Sequence, residues 1–75
     1  MVMETLAISL GHRIREERRK CGISQDVLAL TSNLDRSYVG RIERGEVNLT
    51  IEKLYRIAKV LGCDPAGLLP PLSEV

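Results

Sequence analysis

The sequence predicts a single all-α domain of five helices with no strand, and three features of the chain carry this prediction. Apolar residues recur three or four positions apart, which is the spacing that places them on one face of a helix. Serine, threonine or aspartate precedes four of these stretches and glycine follows several of them, as is typical of helix ends. The apolar fraction is 44%, but with two Tyr and neither Phe nor Trp the predicted core is aliphatic.

The expected helix boundaries follow from these caps and stops. The first helix should run from about Thr5 to Cys21, because Gly22 comes next and glycine favours the position just after a helix. The fifth helix should begin at Pro65, since proline suits the first position of a helix. The four later helices, with their caps, are expected over residues 24–32, 35–45, 50–62 and 64–69.

Two of these helices have an apolar stripe that should face the core. In the first helix the stripe consists of Leu6, Leu10, Ile14 and Cys21. In the fourth helix it consists of Ile51, Leu54, Ile57, Ala58 and Leu61. Glu17 interrupts the first stripe at a position where an apolar residue would be expected.

Residues 25–44 follow the pattern of a helix-turn-helix. Leu28 and the small Ala29 suit the close approach of two helices, and Asn33 falls where the turn needs a left-handed backbone. Beyond the turn, apolar residues return to the core at Leu34, Val39 and Ile42. In such a motif the second helix is held out as a rigid rod that fits the major groove of DNA.

The charges are distributed unevenly, although the net charge is only +1. Arginine and lysine are concentrated in residues 12–20 and 36–59, whereas residues 60–75 carry only the charged side chains of Asp64 and Glu74. This distribution favours one face directed toward phosphates and another directed toward a protein partner.

Several other classes of protein have little support in the sequence. Cys21 and Cys63 lack metal-binding spacing and are expected as free thiols of a reducing cytoplasm, with a disulfide as the minority alternative. His12 stands beside arginines with no nucleophile or metal ligand arranged around it, so an enzyme is the least favoured class. We expect no metal, cofactor or small-molecule ligand. No segment has the ~20 apolar residues of a membrane span, and the N-terminus lacks the basic start of a signal peptide.

Five short segments of the chain form a combination that is specific only when they occur together. They are LGHRIR at 10–15, GISQ at 22–25, LA at 28–29, IERG at 42–45 and LxxIAxxLG at 54–62. With these segments the chain resembles the Xre/Cro family of regulators over about residues 8–69, which implies the five-helix lambda repressor-like DNA-binding fold. Residues 32–54 look most like the small controller proteins of restriction-modification systems.

The resemblance implies roles for the polar residues of the motif. Readout of DNA bases is implied for four residues of the recognition helix: Arg36, Ser37, Tyr38 and Arg41. Contacts to DNA phosphates are implied for Gln25, Arg44 and Asn48. Arg18 and Glu43 are implied to form a structural ion pair between the first helix and the recognition helix. Structural alternatives stay open: a half-buried Tyr38, a simple first-turn residue at Gln25, a turn residue at Asn48, a solvated Arg44, and independent charges at Arg18 and Glu43.

The expected mode of action is a homodimer on a palindromic double-stranded DNA operator, because one recognition helix reads only a few base pairs. The dimer surface is expected within about residues 60–75, at Leu68, Leu69 and Leu72, with Leu68 equally suited to capping the monomer core. A controller protein would regulate its own operon in the bacterial cytoplasm, activating at low dose and repressing at high dose, and would associate with the nucleoid when bound. The alternatives are a phage-type or antitoxin-type repressor and a protein-interaction helix-turn-helix that does not bind DNA.

Overall fold

The computed structural model describes the backbone of residues 2–75 and the side chains from Thr5 onward. Within this range the chain forms five α-helices and a final 3₁₀ turn, with no strand, so the predicted all-α fold of five helices is confirmed. The helices are α1 (Val2–Lys20), α2 (Gln25–Ser32), α3 (Arg36–Glu43), α4 (Ile51–Leu61) and α5 (Pro65–Leu68), and the 3₁₀ turn spans Leu72–Glu74. No helix of this described range is long and apolar enough to cross a membrane.

Three of the four predicted N-caps hold their helices through side-chain hydrogen bonds. The side chains of Ser24, Thr50 and Asp64 each accept a hydrogen bond from a backbone N–H in the first turn of α2, α4 and α5. Asp35 occupies the N-cap position of α3 in extended backbone conformation, but its carboxylate accepts from the Ser37 hydroxyl instead of a backbone N–H. The start of α3 is therefore set by backbone conformation and by this local side-chain contact.

The turn between α2 and α3 depends on Asn33. This residue has φ 58° and ψ 46°, the left-handed conformation that the sequence predicts, and its N–H reaches the carbonyls of Ala29 and Leu30. Leu34 N–H then donates to Ala29 O at 2.8 Å. These bonds satisfy carbonyls at the end of α2 and turn the chain sharply into α3.

The core is aliphatic, as expected, and is drawn from every helix. Its buried members are Leu10, Ile14, Leu28, Ala29, Val39, Ile42, Leu54, Ile57, Ala58, Leu61 and Leu68. Two members of the predicted stripes lie outside it. Cys21, in the turn that follows α1, is exposed, and its Sγ donates to the Leu61 carbonyl of α4 at 3.4 Å. Ile51 is 68% exposed because it shares a face with the exposed Tyr55, four residues on, rather than with Leu54.

Helix α1 packs directly against α3 at Gly11, which is buried. A Cβ atom at this position would collide with the backbone carbonyl oxygen of Ile42 and would lie 3.0 Å from that of Glu43. Only a residue without a side chain allows this approach of the two helices. The position of α3, and with it the direction of its outer face, therefore depends on Gly11.

One of the three leucines predicted to form the dimer surface, Leu68, is not available for it. Leu68, the last residue of α5, is fully buried in the monomer core, so its side chain has no exposed surface that could contact a partner. Within the one-turn helix, burial of Leu68 turns the next residue outward, and Leu69 is 45% exposed. Leu72, in the 3₁₀ turn, is 88% exposed. Leu69 and Leu72 remain the candidates for the predicted surface.

The end of the chain folds back onto α1, which the sequence does not predict. The Glu74 carboxylate accepts hydrogen bonds from Ser9 Oγ at 2.9 Å and from Arg13 Nη2 at 2.6 Å. These two donors stabilise the charged carboxylate and lower the pKa of Glu74 below its ordinary value. The 3₁₀ turn is therefore attached to α1 by an exposed ion pair rather than by the core.

Candidate DNA interface

Helix α3 is amphipathic, with one face in the core and the other in solvent. Val39, Gly40, Ile42 and Glu43 are buried, whereas Arg36, Ser37 and Arg41 are exposed. Ser37 and Arg41 lie four residues apart, so they project from the same side of the helix. The structure thus brings three of the four predicted base-reading residues onto an open surface.

Tyr38, the fourth predicted base reader, lies at the edge of this surface. It is half-buried and packs against the core, and Lys53 Nζ lies 4.6 Å from the centroid of its ring. This is the distance of a cation–π contact, which holds Lys53 beside α3. Tyr38 thus has the half-buried environment of the structural alternative, and its part in base readout stays a prediction.

A buried carboxylate connects α3 to the two preceding helices. Glu43 accepts two hydrogen bonds from Arg18, from Nε at 2.6 Å and from Nη2 at 3.1 Å, while Arg18 Nη1 donates to the Ile23 carbonyl at 2.9 Å. The side chains of Arg18 and Glu43 are only 12% and 2% exposed. The hydrogen bonds to Glu43 raise the pKa of Arg18. This geometry is the two-point pairing of a guanidinium and a carboxylate, which holds α3 in one orientation against α1.

Gln25 belongs to the same network. Its Nε2 donates to Glu43 Oε1 at 2.9 Å, at the N-terminus of α2. A carboxamide nitrogen carries two hydrogens, so one N–H of Gln25 remains for a further acceptor. The side chain is therefore held beside the free backbone N–H groups of the α2 N-terminus, which suit an anion.

Three predicted DNA-contacting side chains converge above Gly40. A Cβ atom on Gly40 would lie 3.2 Å from Arg44 Nη1 and 3.9 Å from both Arg36 Nη1 and Gln25 Oε1. The absence of a side chain at Gly40 thus leaves room for two guanidinium groups and an amide between α2 and α3. Asn48 is apart from this cluster, exposed in the loop that joins α3 to α4.

Both of these arginines have a carboxylate partner that the sequence does not predict. Arg36 Nε lies 2.7 Å from Asp26 Oδ1, and Arg44 Nε lies 2.7 Å from Glu46 Oε2. The second pair raises the pKa of Arg44 and lowers that of Glu46. All four side chains are about half or more exposed, so the pairs are solvated and can reorganise when a ligand approaches. Neither pair can be predicted from the sequence. Arg44 and Glu46 are two residues apart, which does not place them on one face of a helix, and Asp26 and Arg36 belong to different helices.

No group of three or more histidine, cysteine or acidic residues within the described part of the chain could hold a metal ion. Cys21 and Cys63 are free thiols, and burial raises the pKa of Cys63, which makes its thiolate less accessible. Of the predicted DNA-contacting side chains, Gln25, Arg36 and Arg44 converge on the surface of α2 and α3.

A polar, cationic helix held outward by a tight left-handed turn defines a DNA-binding helix-turn-helix protein. Residues 14–68 match the helix-turn-helix family HTH_3. The chain belongs to this family of non-enzymatic, DNA-binding transcription regulators, as the sequence predicts.

Comparison with individual proteins points to the same class. The chain is 35% identical over 65 residues to control protein C.BamHI of Bacillus amyloliquefaciens, covering 85% of this chain and 80% of that protein. It is similar to the crystal structure of the restriction-modification controller protein C.AhdI from Aeromonas hydrophila, with 41% identity, a TM-score of 0.82 and coverage of 84% of this chain and 96% of that chain. The P22 c2 repressor in complex with a synthetic operator gives 33% identity and a TM-score of 0.75, over 80% of this chain and 91% of that chain.

Proposed function

We propose that the protein is the controller of a restriction-modification system, which binds a palindromic operator as a homodimer and regulates its own operon. It would act in a bacterial cytoplasm and associate with the nucleoid when bound. The observation that carries this proposal is the outer face of α3, where Arg36, Ser37 and Arg41 project from a helix whose inner face is buried. The similarity to C.BamHI and C.AhdI, both named as control or controller proteins, supports the regulatory role.

The base-reading step is assigned to the outer face of α3. Arg36 has a guanidinium fork that matches the O6 and N7 acceptors of guanine in the major groove. Ser37 and Arg41 follow along the same face, and their hydroxyl and guanidinium groups suit bases or the adjoining phosphates. Tyr38 can contact a sugar or a thymine methyl group from the edge of this face.

Phosphate binding is assigned to the flanks of the same surface. The remaining N–H of Gln25 and the backbone N–H groups of the α2 N-terminus form an anion-binding corner. Arg44 approaches this corner over Gly40, and Asn48 extends the contacts into the following loop. Such contacts set the orientation of α3 in the groove but carry no base preference of their own.

Replacing Arg36 by alanine tests the base-reading assignment. We expect a loss of ~1–3 kcal/mol in binding to a duplex that the wild-type protein has selected from a randomised pool, because a bidentate guanine contact is worth about that much. Binding to a scrambled duplex of the same composition should change far less. The two dissociation constants can be measured by fluorescence anisotropy at one salt concentration, since affinity for DNA depends steeply on salt.

A matched control for this substitution is Arg19→Ala, which removes the same charge from the exposed end of α1. The control should weaken binding to both duplexes by the same small factor. An equal loss on both duplexes for Arg36→Ala would contradict direct readout. The selected sequences themselves should contain two inverted half-sites centred about 10 base pairs apart.

The dimer is assigned to the surface of α4, α5 and the C-terminal turn. An apolar groove of about 420 Å³ lies on α4 and α5, and its apolar lining includes Tyr55, Ala58, Cys63 and Pro65. Leu69 and Leu72 add exposed apolar surface at the end of the chain. Apolar surface of this kind supports burial against a second copy, which would also double the number of base pairs that are read.

Replacing Leu72 by aspartate is expected to raise the dimer dissociation constant about ten- to hundredfold, since burying one leucine contributes ~1.5–3 kcal/mol. Sedimentation equilibrium measures this change directly. Leu30→Asp is the control, because Leu30 is 80% exposed on α2 and does not line the apolar groove. A Leu72 variant that associates as strongly as the Leu30 variant would exclude Leu72 from the interface.

A further inference from the structure

Asp26 and Arg36 join the two helices of the helix-turn-helix across their exposed side. Asp26 is the second residue of α2 and Arg36 is the first residue of α3, and Asp26 Oδ1 accepts from Arg36 Nε at 2.7 Å. The Asp26 carboxylate is not needed for capping, because Ser24 already accepts the Val27 N–H. A carboxylate in the first turn of α2 is favoured by the helix dipole, and the pair adds a link from α2 to α3.

The geometry of the pair leaves the reading edge of Arg36 available. The carboxylate takes Nε, and the two terminal nitrogens Nη1 and Nη2 remain as a fork of the kind that binds guanine O6 and N7. Nη1 lies over Gly40, 3.9 Å from the position that a Cβ atom would occupy on that residue. The guanidinium is thus held by Asp26 and lies over the surface of α3 at Gly40.

We propose that Asp26 is a specificity-determining positioning residue, which orients Arg36 for base readout and lowers the affinity for DNA of any sequence. This inference rests on the proposed function, because it assigns Asp26 a part in the same DNA surface. Ordering Arg36 before binding removes rotamer freedom that would otherwise be lost in the complex, and only a site with the matching base benefits. A carboxylate at the α2 N-terminus, where a phosphate is expected, repels every DNA to a similar extent.

The proposal predicts opposite effects of one substitution on two quantities. Asp26→Asn should strengthen binding to a scrambled duplex, because a charge that repels phosphates is removed. The ratio of affinities for the selected and scrambled duplexes should fall about two- to fivefold, which is the range that an exposed ion pair worth up to ~1 kcal/mol can supply. Asp26→Glu keeps the charge and should retain most of the wild-type ratio.

Glu46→Gln provides a matched control on the same surface. Glu46 accepts from Arg44 Nε at the same distance of 2.7 Å, with a second, longer bond from Nη2 at 3.4 Å, but Arg44 is assigned to phosphate rather than to a base. Its substitution should strengthen binding to both duplexes equally and leave the ratio unchanged. The contrast separates positioning of a base reader from removal of a negative charge.

The decisive experiment is a double-mutant cycle of Asp26→Asn and Arg36→Ala. The dissociation constant of each protein is measured on both duplexes by fluorescence anisotropy. In the Arg36→Ala background, Asp26→Asn should leave the ratio unchanged, because there is no guanidinium left to orient. The proposal is overturned if Asp26→Asn shifts the ratio equally in both backgrounds, leaves it unchanged in both, or raises it in the wild-type background. A wild-type protein that selects no sequence from the randomised pool would instead refute the proposed function itself.

Discussion

Replacing Arg18 by methionine is expected to lower the free energy of unfolding by ~3–5 kcal/mol, because it strands the buried Glu43 carboxylate. The Glu43 side chain is 2% exposed and receives two of its hydrogen bonds from Arg18. The Ile23 carbonyl loses a donor in the same substitution. A domain of this size has only a few kcal/mol of net stability, so the variant should be largely unfolded near physiological temperature.

Urea denaturation followed by circular dichroism measures this loss, and two further variants identify its cause. The double variant Arg18→Met, Glu43→Met removes both charges and should recover much of the stability, because a buried pair can be replaced by apolar residues with little net loss. Lys20→Ala breaks the exposed pair of Lys20 with Glu17 on the same helix and should lose under ~1 kcal/mol. If the double variant is no more stable than Arg18→Met, the loss comes from packing rather than from the stranded charge.

Much of the fold can be predicted because its boundaries are decided by neighbouring residues. Ser24, Thr50 and Asp64 accept bonds from N–H groups two or three positions away. Asn33 turns the chain by its own backbone conformation. Such local features can be read from a short window of sequence. The same holds for the exposed face of α3, whose residues are separated from the buried ones by helical spacing alone.

The remaining features depend on residues that are distant along the chain. Glu74 meets Ser9 from 65 positions away, and nothing in either segment predicts that contact. Asp26 and Arg36 belong to different helices, and their pairing requires the relative orientation of α2 and α3. Leu68 and Leu69 follow each other in a helix of a single turn, where periodicity is too short to decide which one faces the core. These are the places where packing, rather than local pattern, determines the outcome.

Replacing Gly11 by alanine is expected to lower the free energy of unfolding by about 3 kcal/mol, at the upper end of what overpacking of a core usually costs. The added methyl group would run into the Ile42 carbonyl, which belongs to the backbone of α3 and cannot rotate aside. Separation of α1 from α3 would also stretch the bonds between Arg18 and the adjoining Glu43. Thermal denaturation should show the loss clearly, because 1 kcal/mol corresponds to about 4–8 °C in a domain of this size.

Gly67→Ala is the control for this effect, since it adds the same methyl group to α5, where no atom beyond the adjacent residues and the helix backbone lies within 4 Å of the new Cβ. There the change should be neutral or stabilising by up to ~1 kcal/mol, because alanine favours a helix more than glycine does. A Gly11 variant that melts together with the Gly67 variant would mean that α1 and α3 do not touch as closely as the structure has them. A Gly11 variant that is folded but binds DNA weakly would show instead that the contact orients α3 more than it stabilises the domain.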